Sequence, residues 1–152
     1  MSRDLFKRIK TIRVKLIDEN RIKAQTKMVD PHHRIKVIII VDKSSLEILD
    51  IEAKMMKIPY QICLKTIPKI KRLKGARIQE GFYKRVKEVI GGREGCIHLV
   101  DLIMDTARGI FQMALKMMTS GMKKEEQKKI LMEKLKNSCL GYKEEEGGNE
   151  KE

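Results

Sequence analysis

The chain has 152 residues and a formal net charge of +13, from 34 Lys and Arg against 21 Asp and Glu. That length closes one hydrophobic core without staples, and three scattered Cys argue against a secreted disulfide framework. No apolar run reaches the roughly twenty residues of a membrane helix, and the charged stretch from Met1 to Thr11 is no secretory signal; a reducing cytoplasm is the expected setting.

The surplus charge is mostly Lys interleaved with Ile and Met, and Trp is absent. None of the usual nucleic-acid motifs is present, so the charge reads as a solvated surface rather than a nucleic-acid footprint. The residues name no partner, although a basic, Met-rich surface would suit an acidic protein.

In chain order, Ile12, Val14 and Leu16 alternate with Arg13 and Lys15, the period of a half-buried strand. Asp18-Glu19-Asn20 is turn chemistry, after which Ile22, Ala24, Thr26 and Met28 resume the alternation and predict a hairpin. Asp30-Pro31 breaks the ladder, because Pro lacks an N–H and Asp favours turns. In 34–42, Ile35, Val37, Ile39 and Val41 face one way and Ile38 and Ile40 the other. A strand apolar on both faces belongs in the middle of a sheet, covered at least partly on both sides. Asp42-Lys43-Ser44-Ser45 then turns the chain into a fourth strand. The predicted meander uses 11–17, 21–28, 34–42 and 46–54.

Beyond Pro59 the period changes to 3.6 in Tyr60, Cys63, Leu64, Ile67 and Ile70, with Pro68 ending or kinking the segment. A helix is predicted over 78–90, from Ile78, Phe82, Val86, Val89 and Ile90. Leu99, Val100, Ile103, Ala107, Ile110, Ala114 and Met118 predict a long one packed across the sheet, and 123–137 a weaker one. The expected class is therefore α+β: an antiparallel meander of about four strands packed against three or four C-terminal helices. One domain over 1–138 and a charged, disordered tail over 139–152 complete the expectation.

The stretch Ile90-Gly91-Gly92-Arg93-Glu94-Gly95-Cys96-Ile97-His98-Leu99 is the clearest candidate site. A Gly-rich loop ending in Cys at the start of a helix sets the thiol among free backbone N–H groups, which favours thiolate. Asp101 follows His98 by three residues, where it can orient the imidazole as a partner behind the site. If His33, Cys63, Cys96 and His98 converge, they supply a Cys2His2 ligand set suited to Zn or an Fe–S cluster. Cys63 alone also reads as a small buried hydrophobe, and His32-His33 as a turn cap. Cys139 is incidental.

Taken together, Asp30-Pro31-His32-His33-x-Ile35, Pro59-Tyr60-x-x-Cys63, Gly81-Phe82 and Gly91-Gly92-x-x-Gly95-Cys96-x-His98-Leu99 resemble a bacterial family catalogued as domain of unknown function 2889. The resemblance runs from about Arg13 to Met118 and implies no established activity; Ile97 stands where the family usually has Thr. The order of strands, then helices, with Cys63 before the helical half and Cys96 and His98 at the long helix, is more loosely similar to the NifU-like scaffold and SufE-like sulfur-acceptor group.

Three functions follow as expectations. The first is a small metal-binding or iron–sulfur-related module with His33, Cys63, Cys96 and His98 as ligands. The second is a cysteine-dependent enzyme or sulfur carrier in which Cys96 is the nucleophile and His98 or His33 the base. The third is a non-catalytic interaction protein with a basic surface.

Overall fold

The computed structural model describes residues 1–144, and the charged stretch 145–152 of the expected tail lies outside the described residues. Four strands, β1 (Ile9–Leu16), β2 (Arg21–Val29), β3 (Arg34–Asp42) and β4 (Ile48–Lys57), form one antiparallel sheet in the order β1-β2-β3-β4. A run of 3-10 turns, Gln61–Leu73, follows, then helices α1 (Phe82–Ile90), α2 (Ile97–Thr119) and α3 (Lys124–Lys134). This is the α+β arrangement expected from the alternation. The described residues fall into two compact units, the first Met1–Met113 and the second beginning at Ala114.

Sequence alternation sets the sheet directly. Ile35, Val37, Ile39 and Val41 of β3 are buried, while Ile38 and Ile40 on the opposite face are half-buried. Strand β3 is interior, as its two apolar faces require, with β2 and β4 as neighbours. Across the sheet, Ala24 of β2, Ile39 of β3 and Ile51 of β4 lie in one row of the buried face. Burying these branched side chains against the helices supplies most of the drive to fold, roughly 1.5–3 kcal/mol for each large one.

Helix α2 covers that face. Its Leu99, Leu102, Ile103, Thr106, Ala107 and Ile110 are buried at helical spacing. Thr106 Oγ1 lies 2.6 Å from Thr26 Oγ1 of β2, a buried hydroxyl pair tying helix to sheet. One turn on, Gly109 brings the helix so close to β1 that an added Cβ would sit 3.1 Å from Ile12 Cγ2. Lys10 of β1 also pairs with Asp105 of α2 at 2.6 Å.

Element boundaries differ from the sequence expectation at several places, and three of the differences have a local reason. The fourth strand starts at Ile48 rather than 46 because Leu46 takes a left-handed φ of 56° at the end of the Asp42 turn. Helix α1 starts at Phe82, not 78, because 75–78 hydrogen-bond along Leu46 and Ile48 and Gly81 turns the chain with φ 86°. The segment after Tyr60 winds as 3-10 turns through Pro68 as far as Leu73 and buries Thr66, Ile70 and Leu73, whereas Tyr60 and Leu64 of the predicted stripe are exposed.

Candidate functional site

The site forms where the β2–β3 turn meets the head of α2. The turn is built by Asp30. Its Oδ1 accepts the backbone N–H groups of His32 and His33, both at 2.8 Å, and its own N–H donates to the His33 carbonyl at 3.0 Å. This is what a short carboxylate side chain does at a tight turn. The same Oδ1 accepts from His33 Nδ1 at 3.0 Å, so the carboxylate that shapes the turn also fixes the imidazole. In its neutral form, with Nδ1–H donating to the carboxylate, the His33 ring keeps its lone pair on Nε2.

From the other side the chain entering β1 contributes Arg8. Its Nε donates to Asp30 Oδ2 at 2.9 Å and its Nη2 lies 2.8 Å from the same oxygen. Nη2 also approaches His98 Nε2, in a long hydrogen bond of 3.4 Å. The rings of His33 and His98 pack with centroids 4.1 Å apart and planes tilted by 40°. Arg8, His33 and His98, from three separate parts of the chain, thus gather around the buried carboxylate of Asp30.

The head of α2 is placed by the glycine loop. Cys96 N–H donates to the Ile90 carbonyl at 2.8 Å, closing residues 91–95 over the end of α1. Gly95 lies against the Ile90 carbonyl with no room for a Cβ, and Gly92 holds a φ of 71°. The Cys96 carbonyl accepts from Val100 at 3.1 Å, so Cys96 caps α2 and His98 lies in its first turn.

The electrostatics follow from this packing. Burial by itself raises the Asp30 pKa, but the His32 N–H, the His33 ring, Arg8 and the His33 N–H outweigh it and hold the carboxyl well below the usual range. For His98, burial comes first and His33 and Arg8 add to it, against weaker opposing pulls from Asp30 and Asp101, so its pKa falls below the ordinary imidazole value. At neutral pH the site holds an anionic Asp30, a cationic Arg8 and a neutral His98.

The sequence candidates are distributed as follows. His33 and His98 come together, and Cys96 stands two residues before His98 at the helix cap. Cys63 is half-buried in the first 3-10 turn, its carbonyl accepting from Thr66 Oγ1 at 2.6 Å. Asp101 is exposed, makes no hydrogen bond to His98 among the described residues, and reaches it only as a charge. Among the described residues no group of three or more His, Cys, Asp or Glu side chains is placed to hold a metal ion. Two partners escaped the sequence reading: Arg8, and Asp30 as more than a turn former. For Asp30 the signal was there, an Asp three residues before a His in a turn. Arg8 is 22 residues from Asp30 and 90 from His98, and no local pattern marks it.

The fold and this site define an α+β domain with an Asp–His–Arg network at the head of its longest helix. The chain belongs to the family described as "Protein of unknown function (DUF2889)", whose model matches residues 8–112 and so takes in Arg8, Asp30, His33, Cys96 and His98. No curated protein and no solved structure matches the chain.

Proposed function

We propose that this end of the domain is a cysteine-dependent transfer site, with Cys96 as nucleophile, His33 as general base and Arg8 as anchor for an anionic group. The observation that carries the reading is the Asp30–His33 hydrogen bond. A buried carboxylate on Nδ1 orients an imidazole and leaves Nε2 to accept a proton, the arrangement that activates thiol and hydroxyl nucleophiles. Of the two imidazoles His33 is the base, because the Arg8 guanidinium already occupies His98 Nε2. His98 then acts as a neutral wall that packs on the base and orients it. The order of sheet and helices, with Cys96 capping α2, is the likeness to sulfur-acceptor proteins that favours sulfur over acyl transfer.

Cys139 is an exposed internal control for the test. Iodoacetamide should alkylate Cys96 at least about tenfold faster than Cys139 near neutral pH, and His33→Gln should erase most of that difference. Equal rates at the two thiols, or a His33→Gln protein with unchanged Cys96 reactivity, rule the reading out.

A second reading rests on the imidazole pair. Two rings 4.1 Å apart, one held through Nδ1 by a carboxylate, resemble the orientation of metal-bound histidines, with Zn or an Fe–S cluster as cofactor and Cys63 and Cys96 as further ligands. A fixed guanidinium beside one of the nitrogens disfavours it. Elemental analysis and an absorption spectrum of anaerobically purified protein decide: stoichiometric metal lost in His33→Gln favours the metal centre, and its absence favours the thiol site.

A further inference from the structure

The sheet has a second face, turned away from α2, and its register sets like charges against each other. Lys27 of β2 lies opposite Lys36 of β3, and Lys36 opposite Lys54 of β4, a row of three lysines on adjacent strands. In other rows Lys15 faces Lys23, and Arg34 faces Lys57. Residues directly opposite in a sheet stand about 5 Å apart, where like charges destabilise. None of these side chains forms an ion pair among the described residues. The acids of the face offer little relief. Asp42 is bound into the Ser45 turn and Asp50 to Lys71, which leaves Glu52 opposite Ile38.

We propose that this face docks on an anionic lipid bilayer, its lysines on the headgroup phosphates and its apolar end in the interface. The charge pattern points to a polyanion, and three observations choose among polyanions. The cations are mostly Lys, with Arg13, Arg21 and Arg34 the exceptions; Lys is a strongly hydrated point charge suited to diffuse attraction by a charged surface, whereas protein interfaces are depleted of Lys and favour Arg. No aromatic side chain lies on the face, so the stacking platform of single-strand nucleic-acid binders is missing. The basic rows end in exposed apolar residues: Ile9, 51 % exposed, lies opposite Val29, 44 % exposed. Phosphates of a duplex have no use for these side chains, whereas a bilayer takes them up between its headgroups. A cleft of about 250 Å³ lined by Arg13, Lys15 and Lys23 on the same face offers a seat for one phosphate. The docking surface is separate in residues from the Cys96 site and stands without it.

Co-sedimentation of the full chain with phosphatidylcholine vesicles, with and without phosphatidylserine, tests the inference. The chain should pellet only with the phosphatidylserine vesicles, and salt should release it. Lys27→Glu with Lys36→Glu should weaken binding more than tenfold, at roughly fivefold or more for each lysine, whereas Lys27→Arg with Lys36→Arg should keep it. Ile9→Ser with Val29→Ser should weaken it while leaving the circular dichroism spectrum unchanged. Failure to pellet with phosphatidylserine, equal pelleting with both vesicles, or indifference to charge reversal overturns the inference. So does a duplex oligonucleotide that outcompetes the vesicles for the same lysines.

Discussion

Asp30 has no exposed side-chain surface, yet its two oxygens take up two backbone N–H groups, an imidazole and a guanidinium. Removing it strands a partly buried cation and two turn donors. Asp30→Ala should therefore cost about 2–4 kcal/mol in urea denaturation, and Asp30→Asn, which keeps the shape, should cost less. The same residue sets an acid limit. The folded pKa of Asp30 lies below its ordinary value of 3.8, so its stabilisation is complete above that value and is lost as pH falls below it. His98 acts in the same direction at higher pH. Its folded pKa lies below 6.5, so the unfolded chain takes up the proton first and stability begins to fall below about pH 6.5. His98→Gln should remove this upper arm of the thermal-stability profile and leave the lower one. Of this network His33 and His98 were legible, like the neighbouring Cys96, as scarce, chemically able residues in suggestive loops. Arg8 was not, because a contact across 90 residues of sequence is made by the fold alone.

At the level of elements, helix α2 and strand β1 meet at Gly109. Glycine inside a helix is normally unfavourable by about 1 kcal/mol relative to Ala, so a packing reason is expected. A methyl group added there would meet Ile12 Cγ2 at 3.1 Å and Val14 Cγ2 at 3.4 Å, which supplies it. The balance turns on whether they can give way. Ile12 is on an edge strand and 45 % exposed, so it can shift by a few tenths of an ångström. Gly109→Ala should thus be stabilising, by up to about 1 kcal/mol, while Gly109→Leu should push β1 away and destabilise by about 1–3 kcal/mol. Thermal melts of the two variants check both signs. The elements themselves were legible wherever period and punctuation agreed, as in β3 between Asp30-Pro31 and the Asp42 turn. They were misread where an apolar residue served a different partner. Ile78 fits the helical spacing of Phe82 and Val86, but its N–H donates to the Leu46 carbonyl, a pairing the local pattern does not carry.

For the whole molecule, a net charge of +13 means self-repulsion in the compact state. The sheet concentrates part of that repulsion in the Lys27–Lys36–Lys54 row. Added salt should therefore raise the melting temperature from its low-salt value, because screening shortens the reach of exposed charges to about 10 Å at 0.1 M. The half-buried Lys36 is the sharpest probe, since it stands between two lysines. Lys36→Glu turns two repulsions into two attractions, each worth roughly 0.2–1 kcal/mol. It should stabilise the fold by about 0.5–2 kcal/mol at low ionic strength, and the gain should shrink as salt is added. The same substitution should weaken the chain's hold on phosphatidylserine vesicles. Opposite movements of stability and vesicle binding would mean that the lysine row costs the fold something and is kept for its ligand. A Lys36→Glu protein no more stable than the original at low salt would show that the lysine heads splay far enough apart to avoid one another, and the energetic argument for an anion-binding face would fail.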